Sequence, residues 1–200
     1  MKVFELKGTK RATTGKKASR ECRKSGNIPC VLYGASRDAE GKVITTEFEV
    51  KFEDVRKLIY TPDIFSINLT VDGETCKAVM RELQFHPVKD NVLHIDFYQI
   101  TEGQPISMDV PVVFEGHAKG VREGGALYTL IRRLKVKALY DVIPEKLHID
   151  VTELGINKSI KVGDLSFEGL ELLTPKQTLV CTVKATRASM SAASKEEGEA

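Results

Sequence analysis

His86 precedes Pro87, and His94 and Asp96 stand two apart in the run Val92-Leu93-His94-Ile95-Asp96-Phe97-Tyr98. An imidazole beside a carboxylate can act as a base with its orienting group, but no Ser or Cys nucleophile motif accompanies the pair, so a hydrolase reading has no attacking group. With His86 the pair could hold a metal, yet no Cys or further His stands at zinc-like spacing. Residues 116–125 hold neither G-x-x-x-x-G-K-S/T nor G-x-G-x-x-G, so the phosphate-cradling loops of nucleotide enzymes are absent. What is left is recognition, or an ordinary hydrogen-bonded surface pair. A carboxylate is repelled by phosphates and becomes useful to a nucleic-acid binder where it accepts hydrogen bonds from base amino groups.

The cations point the same way. The whole chain of 200 residues carries a formal charge of +2, but residues 1–37 hold ten Lys and Arg against Glu5 and Glu21 alone, an excess of eight. The rest therefore carries −6. A basic segment on a mildly acidic body suits a protein with one surface turned to a polyanion. The competing reading is a solvated charged face. Residues 100–200, with 13 basic and 14 acidic side chains, lack the charge for broad RNA contact, and we expect this half to meet proteins or to project from its assembly.

The elements that must position these groups read as mainly β with a few short helices. Val3-Phe4-Glu5-Leu6 is a short strand and Gly8 to Gly15 an exposed basic loop. From Lys16 to Ser25, Ala18 and Cys22 lie four apart, which predicts a short helix with a thin buried stripe, ending at Gly26. Ile28 to Gly34 reads as a core strand ending at Tyr33-Gly34. Val43 to Val50 is a strand, and Phe52, Val55, Leu58 and Ile59 have helical spacing. Phe65, Ile67, Leu69 and Val71 alternate into Asp72-Gly73, a hairpin signal, and Cys76, Ala78 and Met80 alternate out of it. In the run after Val92, Leu93, Ile95 and Phe97 face one way and His94, Asp96 and Tyr98 the other. So many strands suggest a small barrel or curled sheet, for which parallel crossovers are not required.

A new alternation at Met108, Val110, Val112 and Phe114 places a boundary near residue 100. The expected organisation is a β-barrel over 1–99, a mostly β domain over 100–186 with strand-like runs at 127–139, 147–151 and 178–183, and a disordered tail over 187–200. No apolar run approaches the ~18 residues of a membrane span, and no signal peptide opens the chain, so we expect a cytoplasmic protein. The four cysteines form no C-x-x-C pair and read as free, packed thiols.

The stretch Arg11-x-x-x-Gly15-Lys16-Lys17-Ala18-Ser19-Arg20-x-x-Arg23-x-x-Gly26-x-Ile28-Pro29-x-x-x-Tyr33-Gly34, followed by His86-Pro87 and His94-Ile95-Asp96-Phe97, resembles bacterial large-subunit ribosomal protein number twenty-five. Asp150-Val151-x-x-Leu154 and Ser159-Ile160-x-Val162-x-Asp164-Leu165 resemble the second domain of its long, general stress protein CTC form. The resemblance implies a structural constituent of the large ribosomal subunit that performs no catalysis. It also implies an N-terminal β-barrel similar to the anticodon-binding domain of glutaminyl-tRNA synthetase, docked on the loop E region of 5S ribosomal RNA.

On that reading Arg11, Lys16, Lys17, Arg20, Arg23 and Lys24 neutralise phosphates, which position a protein without selecting sequence. Ser19, Tyr33, Gln84, His94 and Asp96 are then the groups suited to base edges and groove shape. The chain departs from the pattern at Glu21 and Arg81, where a basic residue and a glutamine would also fit, so Arg81 is left out of the expected contacts. The expected partners are 5S ribosomal RNA and neighbouring large-subunit proteins, with no membrane, cofactor, metal or small-molecule substrate. Two rivals stay open: a binder of transfer RNA, and a protein-interaction module whose basic segment meets an acidic partner. Tyr33 could also simply cap a core strand.

Overall fold

A computed structural model describes residues 2–37, 43–101 and 103–187. The chain separates into two compact units, Met1–Ile106 and Ser107–Ala200. The expected tail over 187–200 lies almost wholly outside the described residues.

In the first unit, β1 (Lys2–Lys10), α1 (Lys16–Lys24), β2 (Asn27–Arg37), β3 (Val43–Lys51), α2 (Phe52–Tyr60), β4 (Phe65–Val71), β5 (Glu74–Phe85) and β6 (Val92–Gln99) follow in order. The six strands close into a barrel in the order β1-β3-β2-β6-β5-β4. Closure leaves no strand edge unpaired. Two pairings, β1 with β4 and β2 with β6, are parallel, which a simple run of hairpins would not produce. They arise because the chain leaves the β2–β3 hairpin, crosses with α2 and returns to pair strands distant in sequence.

Alternation fills the barrel. Leu6, Cys30, Phe48, Ile67, Leu69, Ile95 and Phe97 are all essentially inaccessible to solvent. The Phe48 and Phe97 rings meet across the interior, centroids 5.6 Å apart. On α2, Val55, Leu58 and Ile59 are buried, while Glu53 and Asp54 in its first turn and Lys57 in its last complement the helix dipole. The hairpin between β4 and β5 turns at Asp72-Gly73 with φ of 49° and 92°, the positive values its primed turn requires.

Two strand ends differ from expectation, both at glycines. β1 runs on to Lys10 and β2 to Arg37. A Cβ on Gly8 would lie 2.5 Å from the Phe48 ring, and one on Gly34 would lie 2.8 Å from Gln99 Cβ. These glycines allow close packing within strands and do not end them.

The second unit contains β7 (Pro105–Glu115), α3 (Lys119–Arg122), β8 (Ala126–Thr129), β9 (Arg133–Leu139), β10 (Leu147–Asp150), β11 (Ser159–Lys161), β12 (Glu171–Leu172) and β13 (Leu179–Lys184). They form one sheet in the order β10-β7-β9-β12 and another in the order β11-β13-β8. The expected single run 127–139 is therefore two strands in different sheets. The break comes where Leu130 and Ile131 both donate to the Val180 carbonyl and Arg132 turns to β7. Ala118, Val151, Leu154, Cys181 and Val183 pack one core of this unit.

Candidate nucleic-acid interface

With Ile95 and Phe97 of β6 filling the barrel, its alternate residues His94, Asp96 and Tyr98 face outward. Register then decides their neighbours. On one side Tyr33 of β2 lies beside Tyr98; on the other, Gln84 and Glu82 of β5 lie opposite His94 and Asp96. Paired residues share a face of the sheet, so all six crown one patch of the barrel's outer wall.

Within the patch the polar groups are already arranged. His94 Nδ1 and Asp96 Oδ1 are 2.7 Å apart, both side chains partly buried. Gln84 Nε2 donates to Glu82 Oε1 at 3.1 Å. Each contact spans two residues along one strand, so imidazole and amide are held while carboxylate acceptor capacity remains. The Tyr33 and Tyr98 rings meet edge to face, centroids 5.9 Å apart. Burial pushes the Tyr33 phenol above its ordinary range, so its hydroxyl stays a donor at neutral pH. Among the described residues no three His, Cys, Asp or Glu side chains gather in a way that could hold a metal ion.

The cations arrive on α1. Its burial is confined to Cys22, and Lys16, Lys17, Arg20, Arg23 and Lys24 are exposed. Arg23 Nε donates to the Leu93 carbonyl at 2.9 Å, tying the helix to β6 one residue before His94. A basic helix thus borders the polar patch. Cys22 beneath it has its thiol pushed up to about 12 by burial and by Glu49, and so stays protonated. Cys30 and Cys181 are also buried, Cys76 is partly so, and all four thiols are free.

Arg11 does not stand as a solvent-facing cation. Its side chain is only 7% exposed, with Nη1 3.4 Å from Glu47 Oε2 and Nη2 donating to Ser19 Oγ at 3.2 Å. The guanidinium fastens the loop after β1 to β3 and α1, so Arg11 and Ser19 meet each other. The other expected residues fall on α1 or on the patch. Tyr98 and Arg81 were not among them: the alternation of β6 already placed Tyr98 beside Asp96, and Arg81 was set aside because it departs from the family pattern, where a glutamine would also fit. Its guanidinium lies 5.8 Å from the Tyr33 ring centroid and 5.7 Å from that of Tyr98.

Comparison with known proteins agrees with both halves. Residues 6–97 match the Ribosomal L25p family, and residues 105–187 match the family described as Ribosomal protein TL5, C-terminal domain. The chain is 54% identical over 193 residues to the large ribosomal subunit protein bL25 of Phocaeicola vulgatus, covering 96% of this chain and 98% of that one. It is 52% identical over 198 residues to the protein of the same name in Bacteroides thetaiotaomicron, covering 96% and 97%. The bL25 of Porphyromonas gingivalis is likewise 52% identical over 198 residues, covering 98% of this chain and all of that one.

Proposed function

This chain belongs to the Ribosomal L25p family in its two-domain form, and from that premise we propose that its N-terminal barrel binds 5S ribosomal RNA at the loop E region. As a family member it is a structural constituent of the large ribosomal subunit, in the cytoplasm, and not an enzyme.

One observation supports the finer reading above the rest. A helix with five exposed cations is hydrogen-bonded through Arg23 to the strand that presents His94 and Asp96. That juxtaposition sets phosphate neutralisers beside base readers. Lys16, Lys17, Arg20, Arg23 and Lys24 supply affinity by releasing counterions. Tyr33, Gln84, His94 and Asp96 face the bases, where sequence-specific RNA recognition makes its contacts. Arg11 and Ser19 shape the surface from behind. The second unit, Ser107–Ala200, contacts neighbouring ribosomal proteins or projects from the particle.

A titration of the full chain on a loop E fragment of 5S ribosomal RNA, with transfer RNA in excess, tests this. Tight binding that survives the competitor is the expected result. Loss of the fragment to transfer RNA would replace the proposal with a general or transfer-RNA-directed binder.

A further inference from the structure

Unlike the strands of the closed barrel, β10 ends its sheet: it pairs with β7 on one side and, among the described residues, with no strand on the other. The ladder decides which of its groups are left over. β10 runs parallel to β7, and the Val151 N–H just beyond it donates to the Glu115 carbonyl, so Leu147 and Ile149 turn their main-chain groups toward β7. His148 and Asp150, the alternate residues, turn theirs away. Among the described residues those outward N–H and C=O groups meet no partner.

A hollow of about 320 Å³ adjoins this edge. Leu147 and His148 both line it, although one side chain is buried and the other exposed on the opposite face, and no residue of β7 takes part. It therefore touches β10 along the free edge. The rest of its lining is chiefly apolar, from Val142, Pro144, Phe167 and Leu170. Open main-chain groups at alternate residues, with an apolar hollow beside them, suit an extended peptide that adds as a strand.

Charge narrows the occupant further. Glu168 lines the hollow and Asp150 closes the edge, and among the described residues neither pairs with a cation. Hydrogen bonds from Thr152 hold the Asp150 carboxyl below its usual range, so it is charged at neutral pH. Lys146 also lines the hollow but is already engaged. Unpaired carboxylates repel a phosphate backbone and attract Lys or Arg.

We propose that the free edge of β10 takes up an extended segment of a neighbouring ribosomal protein as an added strand, with an apolar side chain in the hollow and basic side chains toward Asp150 and Glu168. The inference rests on the reading in which the second unit meets neighbouring ribosomal proteins. It is tested by residue-resolved hydrogen exchange of the full chain, free and within large ribosomal subunits. The His148 and Asp150 amides should exchange freely in the free chain and slow by about tenfold or more in the subunit, as a new main-chain hydrogen bond requires. The Ile149 amide, turned to β7, should be protected in both states and reports that the unit is folded.

Asp150→Lys should abolish the slowing at His148 and leave Ile149 protected; slowing that persists would overturn the charge argument. Benzoylphenylalanine in place of Val142 should crosslink, in the subunit, to a protein segment carrying Lys or Arg beside an apolar residue. A crosslink to ribosomal RNA or to an acidic segment would overturn the proposal, as would His148 and Asp150 amides that are already slow in the free chain. Fast exchange at both amides in the subunit, with slowing elsewhere in the second unit, would overturn this inference and keep the protein contact. No slowing anywhere in the second unit would mean that it projects from the particle, and both readings would fall.

Discussion

On the surface proposed to meet RNA, Asp96 keeps a carboxylate, with the His94 ring 2.7 Å away. The imidazole occupies one oxygen and leaves acceptor capacity for base amino groups. Replacing Asp96 with Ala should therefore reduce discrimination between 5S ribosomal RNA and other RNAs, with non-specific affinity the same or slightly higher, as measured by competition titration. An equal loss toward every RNA would refute base reading. Arg20 is exposed on α1, and its proposed role is different: to neutralise phosphate. Arg20→Glu should weaken binding to all RNAs and lower the slope of log affinity against log salt by about one or more. An unchanged slope would remove it from the phosphate contacts.

At the scale of elements, α1 and β1 are positioned by a few contacts. α1 buries only Cys22, so its docking leans on the Arg23 bond to the Leu93 carbonyl and on the Arg11 bridge to Ser19. Arg23 thus holds the helix in place through Leu93, which distinguishes it from Arg20 on the same helix. β1 depends on Gly8, because the Phe48 ring occupies the space of any Cβ there. Gly8→Ala forces that ring to shift within a closed barrel, and a forced shift in a packed core costs about 1–3 kcal/mol. Denaturant melts should show the loss in the transition of the first unit. A variant as stable as the parent would mean that the Phe48 ring has room to move.

For the whole molecule, the chain divides into Met1–Ile106 and Ser107–Ala200, and on the proposed reading RNA recognition belongs to the first of these alone. Leu134 is fully buried in β9 of the second unit. Truncating such a side chain to Ala costs about 2–5 kcal/mol. Leu134→Ala should destabilise the second unit by that order while leaving affinity for the loop E fragment unchanged, as read by calorimetry and titration on the same sample. A parallel loss of RNA binding would show that recognition needs both units.

Much of this was legible in the residues themselves. Alternation around Ile95 and Phe97 set His94, Asp96 and Tyr98 on one face, because a strand has no other way to satisfy a core on one side. Asp72-Gly73 specified its turn through backbone sterics, and the spacing of Ala18 and Cys22 marked α1. The run 127–139 misled because a strand's period says nothing about which sheet it joins. Gly8 and Gly34 were misread as loop or strand end, since a glycine that admits a neighbour and one that turns the chain look alike in a sequence. Register and the barrel's closure were decided by tertiary pairing alone: they brought Gln84 opposite His94 and Tyr33 beside Tyr98. The same pairing produced the bulge that turns Arg81 over two rings and buried Arg11 against Glu47. Local preference determines which face a side chain takes on its own strand, but its neighbours across strands are determined by packing between segments far apart in the chain.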